Sequence, residues 1–389
     1  MILPSILAGL ALLSVALLLW QWFVAIRFPL HQRIDSTSAF TSAVTILKPL
    51  KGCDEFTEAC LRSWLEQEYR GSIQFLFGVA SPDDPVCELV HKLIKSFPGR
   101  DARLIICGAP KGANPKVSTL VELEKAASHP IIVVSDADVC VPRDFLSNVV
   151  APLRQERVGL VNCFYCLANP ATLAMQWEAV AINADFWSQV LQARSLKPLE
   201  FALGAVMVAR SESLRQIGGF SALIDCLADD YQLGHRIAEE GGQIEISPIV
   251  VECWSSPMNW RAVWKHQLRW ARTIRVCQPM PYFFSIVSNP TFWPLLWFLS
   301  KPTPFSASFL ANAVVLRLLS SLHLQSRLGA NSAATEPLNS SARAPYCWWM
   351  PPFKDLLQVA IWLGAFLGNT VEWRGERLRL RSDGTLVRN

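Results

Sequence analysis

The sequence predicts a mixed α/β domain flanked by membrane-spanning α-helices, and three observations carry that expectation. Residues Ile2 to Ile26 form an almost wholly apolar run, residues 43–255 alternate short apolar runs with amphipathic stretches, and further apolar blocks follow Met280. The composition agrees, since 51% of the 389 residues are hydrophobic and only 17% are charged, the balance of a chain bound to a membrane.

At roughly 1.5 Å per residue the first run is long enough to cross a hydrocarbon core of roughly 30 Å. Its start is uncharged and the bulky Leu19-Trp20-Gln21-Trp22-Phe23 continues it, with Gln21 the one strongly polar interruption. A retained helix fits these features better than a cleaved signal, which has a basic start and a small-residue cleavage site. Arg27, His31 and Arg33 follow closely, so the excess of positive charge places the next segment on the cytosolic side. The basic tail with Arg374, Arg377, Arg379 and Arg381 agrees.

In the middle region Ala43-Val44-Thr45-Ile46-Leu47 ends at Lys48-Pro49, the run Ile73 to Val79 ends just before Pro82-Asp83-Asp84, and Ile131 to Val134 leads into Asp136-Ala137-Asp138. These runs read as strands, and Glu58 to Glu68 and Pro85 to Lys95 read as helices covering them. Met258 to Arg275 is amphipathic and rich in Trp and Arg, which suits a helix in the membrane interface. After it, blocks around Tyr282 to Ser300, Phe305 to Leu322 and Leu356 to Val371 predict three more membrane passes, the first interrupted by Pro290 and Pro294 and so either kinked or re-entrant. Asn331 to Pro345 reads as a linker. The expected organisation is an N-terminal membrane helix (1–30), a cytosolic α/β domain (40–257), an amphipathic interfacial helix (258–280), C-terminal membrane helices (281–372) and a basic tail (373–389).

The net charge of +4 is small and lies partly in the tail, so it suits anionic headgroups; no nucleic-acid motif appears and no nucleic-acid partner is expected. Eleven cysteines, an odd and scattered set, point to reduced thiols rather than a disulfide framework. Cys163 and Cys166 have metal-pair spacing, but no matching second pair accompanies them.

The acidic motifs carry the chemistry. Two of them follow the carboxyl ends of strands, the edge at which open α/β sheets bind ligands. Asp136 and Asp138, two apart in a turn, can face one divalent cation, Mg²⁺ or Mn²⁺, that bridges two phosphates. Asp84 sits in Ser81-Pro82-Asp83-Asp84-Pro85, whose Asp and Pro residues are also ordinary turn formers. Asp229-Asp230 precedes a helical run, so it offers either a general base, Asp230 first, or a helix cap. Lys48, Lys51 and Lys116 meet phosphate or nucleotide, or are solvated lysines. In His266-Gln267-Leu268-Arg269-Trp270, Arg269 can donate paired bonds to a diphosphate while Trp270 packs on sugar, acceptor or membrane. The order matches transfer of a sugar from a nucleotide diphosphate.

The chain resembles the ceramide glucosyltransferase family. The resemblance rests on Leu47-Lys48-Pro49-Leu50-Lys51-Gly52, Asp83-Asp84-Pro85, Gly112 to Lys116, Asp136, Asp230-Tyr231, Arg269-Trp270 and the tail Glu372-Trp373-Arg374-Gly375-Glu376-Arg377-Leu378-Arg379, so it spans nearly the whole chain. It implies a GT-A (nucleotide-diphospho-sugar transferase) domain, with Asp84 on the nucleotide side, Asp136 at the metal-diphosphate, Asp230 as base, and Arg269 with Trp270 as closing clamp. His266 stands where the family pattern has Gln or Arg, and His-Gln-Leu-Arg-Trp is more similar to the bacterial hopanoid glycosyltransferase branch. The resemblance implies an inverting transfer of a hexose from UDP-glucose or UDP-N-acetylglucosamine to a lipid hydroxyl, on ceramide or a hopanoid polyol. A processive polysaccharide synthase shares the aspartates and Arg-Trp but calls for more membrane helices than the about four expected here. A membrane scaffold leaves the acidic motifs unexplained.

Overall fold

The computed structural model describes residues 2–34, 40–330, 347–373, 376–381 and 383–388. The expected linker at 331–345 therefore lies wholly outside the described residues, as do Arg374 and Gly375 of the tail. The strands are β1 (Val44–Pro49), β2 (Ile73–Val79), β3 (Asp101–Ile106), β4 (Ile131–Ser135), β5 (Val139–Cys140), β6 (Val158–Leu167), β7 (Val206–Arg210) and β8 (Gln243–Cys253), joined in the order β3-β2-β1-β4-β7-β6-β8-β5. The first four of that order run parallel, and β7 is antiparallel to both β4 and β6.

Alternation along each strand sorts the apolar side chains onto two faces. Ile46, Phe75, Phe77 and Val133 point into one core with Trp64 and Val90 from the helices Thr57–Leu65 and Val86–Ser96. Leu47, Leu76, Ile132 and Val134 point into the other, with Val117 and Leu120 of the helix Pro115–Ala126. Both faces are covered, so the strands read as continuous apolar runs. Cys163 and Cys166 fall in different cores, which removes the metal pairing their spacing suggested.

The second core also holds Ala25 of the helix Ile2–Arg27 and Leu324 and Leu328 of the helix Pro304–Gly329. These are the two helices, among the described residues, long and apolar enough to cross a membrane. Of the three C-terminal blocks, then, one forms a helix of that kind. The first is divided into the helix Pro279–Phe284, a 3₁₀ turn Ser285–Ser288 and the nine-residue helix Phe292–Ser300, because Pro290 cannot continue a helix. The last forms a 17-residue helix, Met350–Phe366, and Thr370 already enters a strand. The tail folds too: β9 (Thr370–Trp373), β10 (Glu376–Leu380) and β11 (Leu386–Arg388) form an antiparallel sheet.

Residues 173–194 tie the two halves together. Helix Leu173–Val180 passes through a π-helical turn, Ala181–Phe186, into helix Trp187–Arg194. Asp185 in the π turn accepts from both guanidinium nitrogens of Arg317, at 2.8 and 2.9 Å, and from Lys354 at 2.8 Å. Arg317 also pairs with Asp355 at 2.8 and 2.9 Å, and Thr291 donates to the same carboxylate at 2.7 Å. Gln21, the polar interruption of the first helix, donates to Ser188 at 2.6 Å. All these groups are buried, so each charge depends on its partners. Replacing Arg317 by Met strands two carboxylates against one ammonium, and thermal or denaturant unfolding in detergent should show a loss of about 3–5 kcal/mol. An unchanged midpoint would show that the cluster contributes nothing.

Candidate active site

The carboxyl ends of β1, β2 and β4 lie side by side, and the acidic loops leave from that edge. The turn Asp136-Ala137-Asp138 separates β4 from β5. Lys48, at the end of β1, supports it from below: its Nζ donates to the Asp136 carbonyl at 2.6 Å and to Ser135 Oγ at 3.2 Å, and stands 4.7 Å from the centre of the Trp64 ring. Lys48 is completely buried, and burial pushes its ammonium down to about 8. In this structure the Lys48 ammonium is directed at the underside of the Asp136 turn.

Lys116 lies in the first turn of the helix Pro115–Ala126, whose N-terminus is capped by Asn114 accepting from Val117 N–H at 3.1 Å. Its Nζ lies 2.8 Å from Asp136 and 3.2 Å from Asp229, so it bridges two acidic motifs that are far apart in sequence. Burial opposes its charge, but Asp136 and Asp229 outweigh it and hold Lys116 well above the ordinary lysine value. A side chain so paired orders the carboxylates first; direct phosphate contact requires it to exchange one of them.

Asp84 closes the neighbouring loop. Its carboxylate accepts from the Gly52 N–H at 3.0 and 3.1 Å and from Val86 N–H at 3.1 Å, joining the loop after β2 to the loop after β1. Gly52 has a φ of 73°, a conformation that favours glycine.

Asp229 and Asp230 open the helix Asp229–Glu239. Asp230 accepts from Tyr231 N–H at 2.8 Å, and Gly204 approaches so closely that a Cβ there would stand 2.7 Å from Asp230 Oδ2. Burial, then the charge of Asp229, pushes the Asp230 carboxyl up to about 6, against the pull of Lys116. Asp138 opens toward solvent, yet the protein around it and the charge of Asp136 push it up to about 6 as well. The site therefore carries more negative charge than Lys116 neutralises. A hard divalent cation fits that excess: Mg²⁺ in particular is commonly held by one or two carboxylates plus substrate phosphates rather than by an all-protein cage. Among the described residues no trio of His, Cys, Asp or Glu is arranged to hold a metal by itself.

His266, Arg269 and Trp270 lie half-buried on the amphipathic helix Trp260–Cys277, where such a helix was expected. His266 Nδ1 is 2.7 Å from Glu178, Gln267 donates to the same carboxylate oxygen at 2.9 Å, and the His266 ring packs on Trp270 with centroids 4.4 Å apart.

Sequence reasoning missed three contributors. Glu178 sits in an ordinary helical run, and nothing local marks it. Tyr165 sits in the apolar strand β6; burial first, then the charges of Cys253, Asp230, Glu178 and Asp136, raise its hydroxyl well above the ordinary tyrosine value. The tail sheet is the third: Leu386 N–H donates to Asp225 at 2.7 Å, Leu227 N–H donates to Gly384 at 3.3 Å, and Leu227 packs with Val371, Leu378 and Leu380. It thereby braces the loop that enters Asp229-Asp230, while Lys265 of the amphipathic helix pairs with Glu372 at 2.6 Å.

Known proteins resemble the chain. "Ceramide glucosyltransferase 3" of Caenorhabditis elegans is 23% identical over 366 residues, covering 93% of this chain and 77% of its own length. The ceramide glucosyltransferase of Candida albicans is 34% identical over 121 residues, 28% of this chain and 22% of its own. A solved mannosyltransferase from Pyrobaculum calidifontis, in complex with GDP-Man and Mn²⁺, superposes with a TM-score of 0.52 at 19% identity, over 94% of this chain and 98% of that one, and shows the fold to be GT-A-like. The model of glycosyl transferase family 21 matches residues 6–386, and the chain belongs to that family and is a glycosyltransferase.

Proposed function

We propose that this glycosyltransferase moves a hexose from UDP-glucose or UDP-N-acetylglucosamine to the hydroxyl of a membrane lipid, ceramide or a hopanoid polyol, with inversion. The observation that supports it best is the cluster of Asp136, Asp138, Asp229 and Asp230 organised by Lys116 at the carboxyl edge of the sheet. Asp230, near 6, is ionised at neutral pH and still basic enough to take a proton. It accepts the proton of the acceptor hydroxyl while that oxygen bonds to the anomeric carbon, and the bond from that carbon to the β-phosphate oxygen breaks with its electron pair leaving on UDP. A divalent cation, Mg²⁺ or Mn²⁺, held by Asp136 and Asp138 would neutralise the departing diphosphate. Asp84 and Gly52 shape the nucleotide side, Lys116 keeps the carboxylates in register, and Arg269 with Trp270 and His266 closes over the donor.

The acceptor reading draws on the apolar surface. Leu12, Leu13 and Phe23 of the first helix, Val315 and Leu319 of the helix Pro304–Gly329, and Phe283 and Phe284 beside the amphipathic helix are exposed, and a contiguous lipid phase is what such side chains suit. The positive charge after the first helix favours a cytosolic active site in a membrane-bound chain. The ceramide glucosyltransferase relatives favour glucose and ceramide; His266 in its motif favours the hopanoid acceptor.

Mass spectrometry of lipids after incubation of the detergent-solubilised protein with Mn²⁺, either UDP-sugar and either lipid tests this. A monoglycosylated lipid is expected, and a long polymer would favour a processive synthase instead. Asp230→Asn should lower turnover about 10²–10⁴-fold with the fold intact, because the base is lost. For the intact enzyme, kcat/KM should fall about tenfold per pH unit below about 6 and level off above it, since Asp230 must be ionised. A profile flat down to about pH 4 would exclude Asp230 as the base.

The raised value of Asp138 gives a second pH test. Its folded carboxyl, at about 6, lies above its ordinary 3.8, so folding is disfavoured as pH rises through that interval and the penalty is complete above it. A cation bound to the ionised pair offsets the penalty. Mn²⁺ should therefore raise the melting temperature more near about pH 7 than near about pH 5, and Asp138→Asn should shrink the difference.

A further inference from the structure

Glu178 belongs to neither the acidic motifs nor the Arg-Trp motif, yet it is 1% exposed and its Oε1 receives two hydrogen bonds from consecutive residues of the amphipathic helix. An ionised carboxylate only accepts, so the contact at 2.7 Å puts a proton on His266 Nδ1. In the neutral ring that choice makes Nε2, at the far edge, a hydrogen-bond acceptor. The His266 side chain keeps 28% of its surface accessible, and Glu178 occupies its Nδ1 edge. Trp270 fixes the ring face, with centroids 4.4 Å apart. Trp270 shares an apolar cluster with Tyr165 of β6, and the Tyr231 hydroxyl, next to Asp230 in sequence, donates to the carbonyl of Cys277 at the end of the same amphipathic helix at 3.2 Å, which ties that helix to the acidic cluster.

We propose that Glu178 is a positioning residue that acts through His266, locking the imidazole as the Nδ1–H tautomer so that Nε2 accepts a hydrogen bond from a substrate hydroxyl. That hydroxyl belongs to the donor sugar or to the acceptor lipid. Gln267, donating to the same oxygen at 2.9 Å, fixes the carboxylate so that it cannot turn away from the ring. The assignment rests on the transfer reading above.

Two measurements test it. The first needs no turnover: ¹⁵N spectra of histidine-labelled protein, with the His266 signals identified by their loss in His266→Gln. Wild type should show a protonated Nδ1 and an unprotonated Nε2, and Glu178→Gln should show mixed tautomers; a proton resident on Nε2 in wild type would overturn the proposal. The second is kinetic. Glu178→Gln and His266→Ala should each raise the KM of one substrate about tenfold, and the double variant should be no worse than His266→Ala. The KM that moves, for UDP-sugar or for lipid, identifies which hydroxyl is held. His266→Gln keeps a donor for Glu178 and an acceptor for the hydroxyl, and should retain more activity than His266→Ala even where Glu178→Gln fails to fold. Multiplicative losses, or equal loss in His266→Gln and His266→Ala, would make Glu178 merely structural. If wild type forms no glycolipid, the transfer reading fails while the spectra still decide the tautomer.

Discussion

The buried charge cluster around Asp185 is the constraint on which the rest of the molecule depends. Asp185, Arg317, Lys354 and Asp355 come from three separate helical segments, and each is buried. A charge moved out of water is costly unless its partners are in place, so these segments can adopt only the arrangement that brings all four together. The π turn presents Asp185 outward to this cluster, while Asn183 in the same turn exchanges hydrogen bonds with the backbone of Leu167 at 2.9 and 3.0 Å. One helical unit thus grips the apolar helices on one side and the sheet on the other.

The same unit reaches the active site. Glu178, less than two turns before Asp185, holds His266 and Gln267, and β6, fixed by Asn183, carries Tyr165. The placement of the amphipathic helix against the acidic cluster is therefore coupled to the packing of the apolar helices. The tail sheet adds a second brace by pairing with the loop before Asp229.

Electrostatics within the cleft follow from crowding. Four carboxylates share one edge of the sheet, Lys116 is held between two of them, and Lys48 is withdrawn beneath the turn. Burial first, and the charge of a neighbouring aspartate second, raise Asp138 and Asp230 to about 6. The two lysines look alike in sequence but differ in effect: burial pushes Lys48 down, whereas paired carboxylates hold Lys116 up.

Local pattern was enough to determine three of the parallel strands, two helices that cover them, the first apolar helix, the amphipathic helix, the position of Asp84 and Asp136 just past strand ends, and that of Asp230 at the start of a helix. Each of these depends on periodicity within a few residues or on the break that ends a strand. The tertiary structure alone decided that Lys48 is sealed under Asp136 from 88 positions away, that Glu178 meets His266 across another 88, and that the tail is a sheet bracing Leu227. It also decided that the proline-broken block after Tyr282 makes short helices rather than one long span. The physical reason is that periodicity specifies which face of an element is buried, whereas the charge that meets another charge is chosen by register and packing between elements distant in the chain.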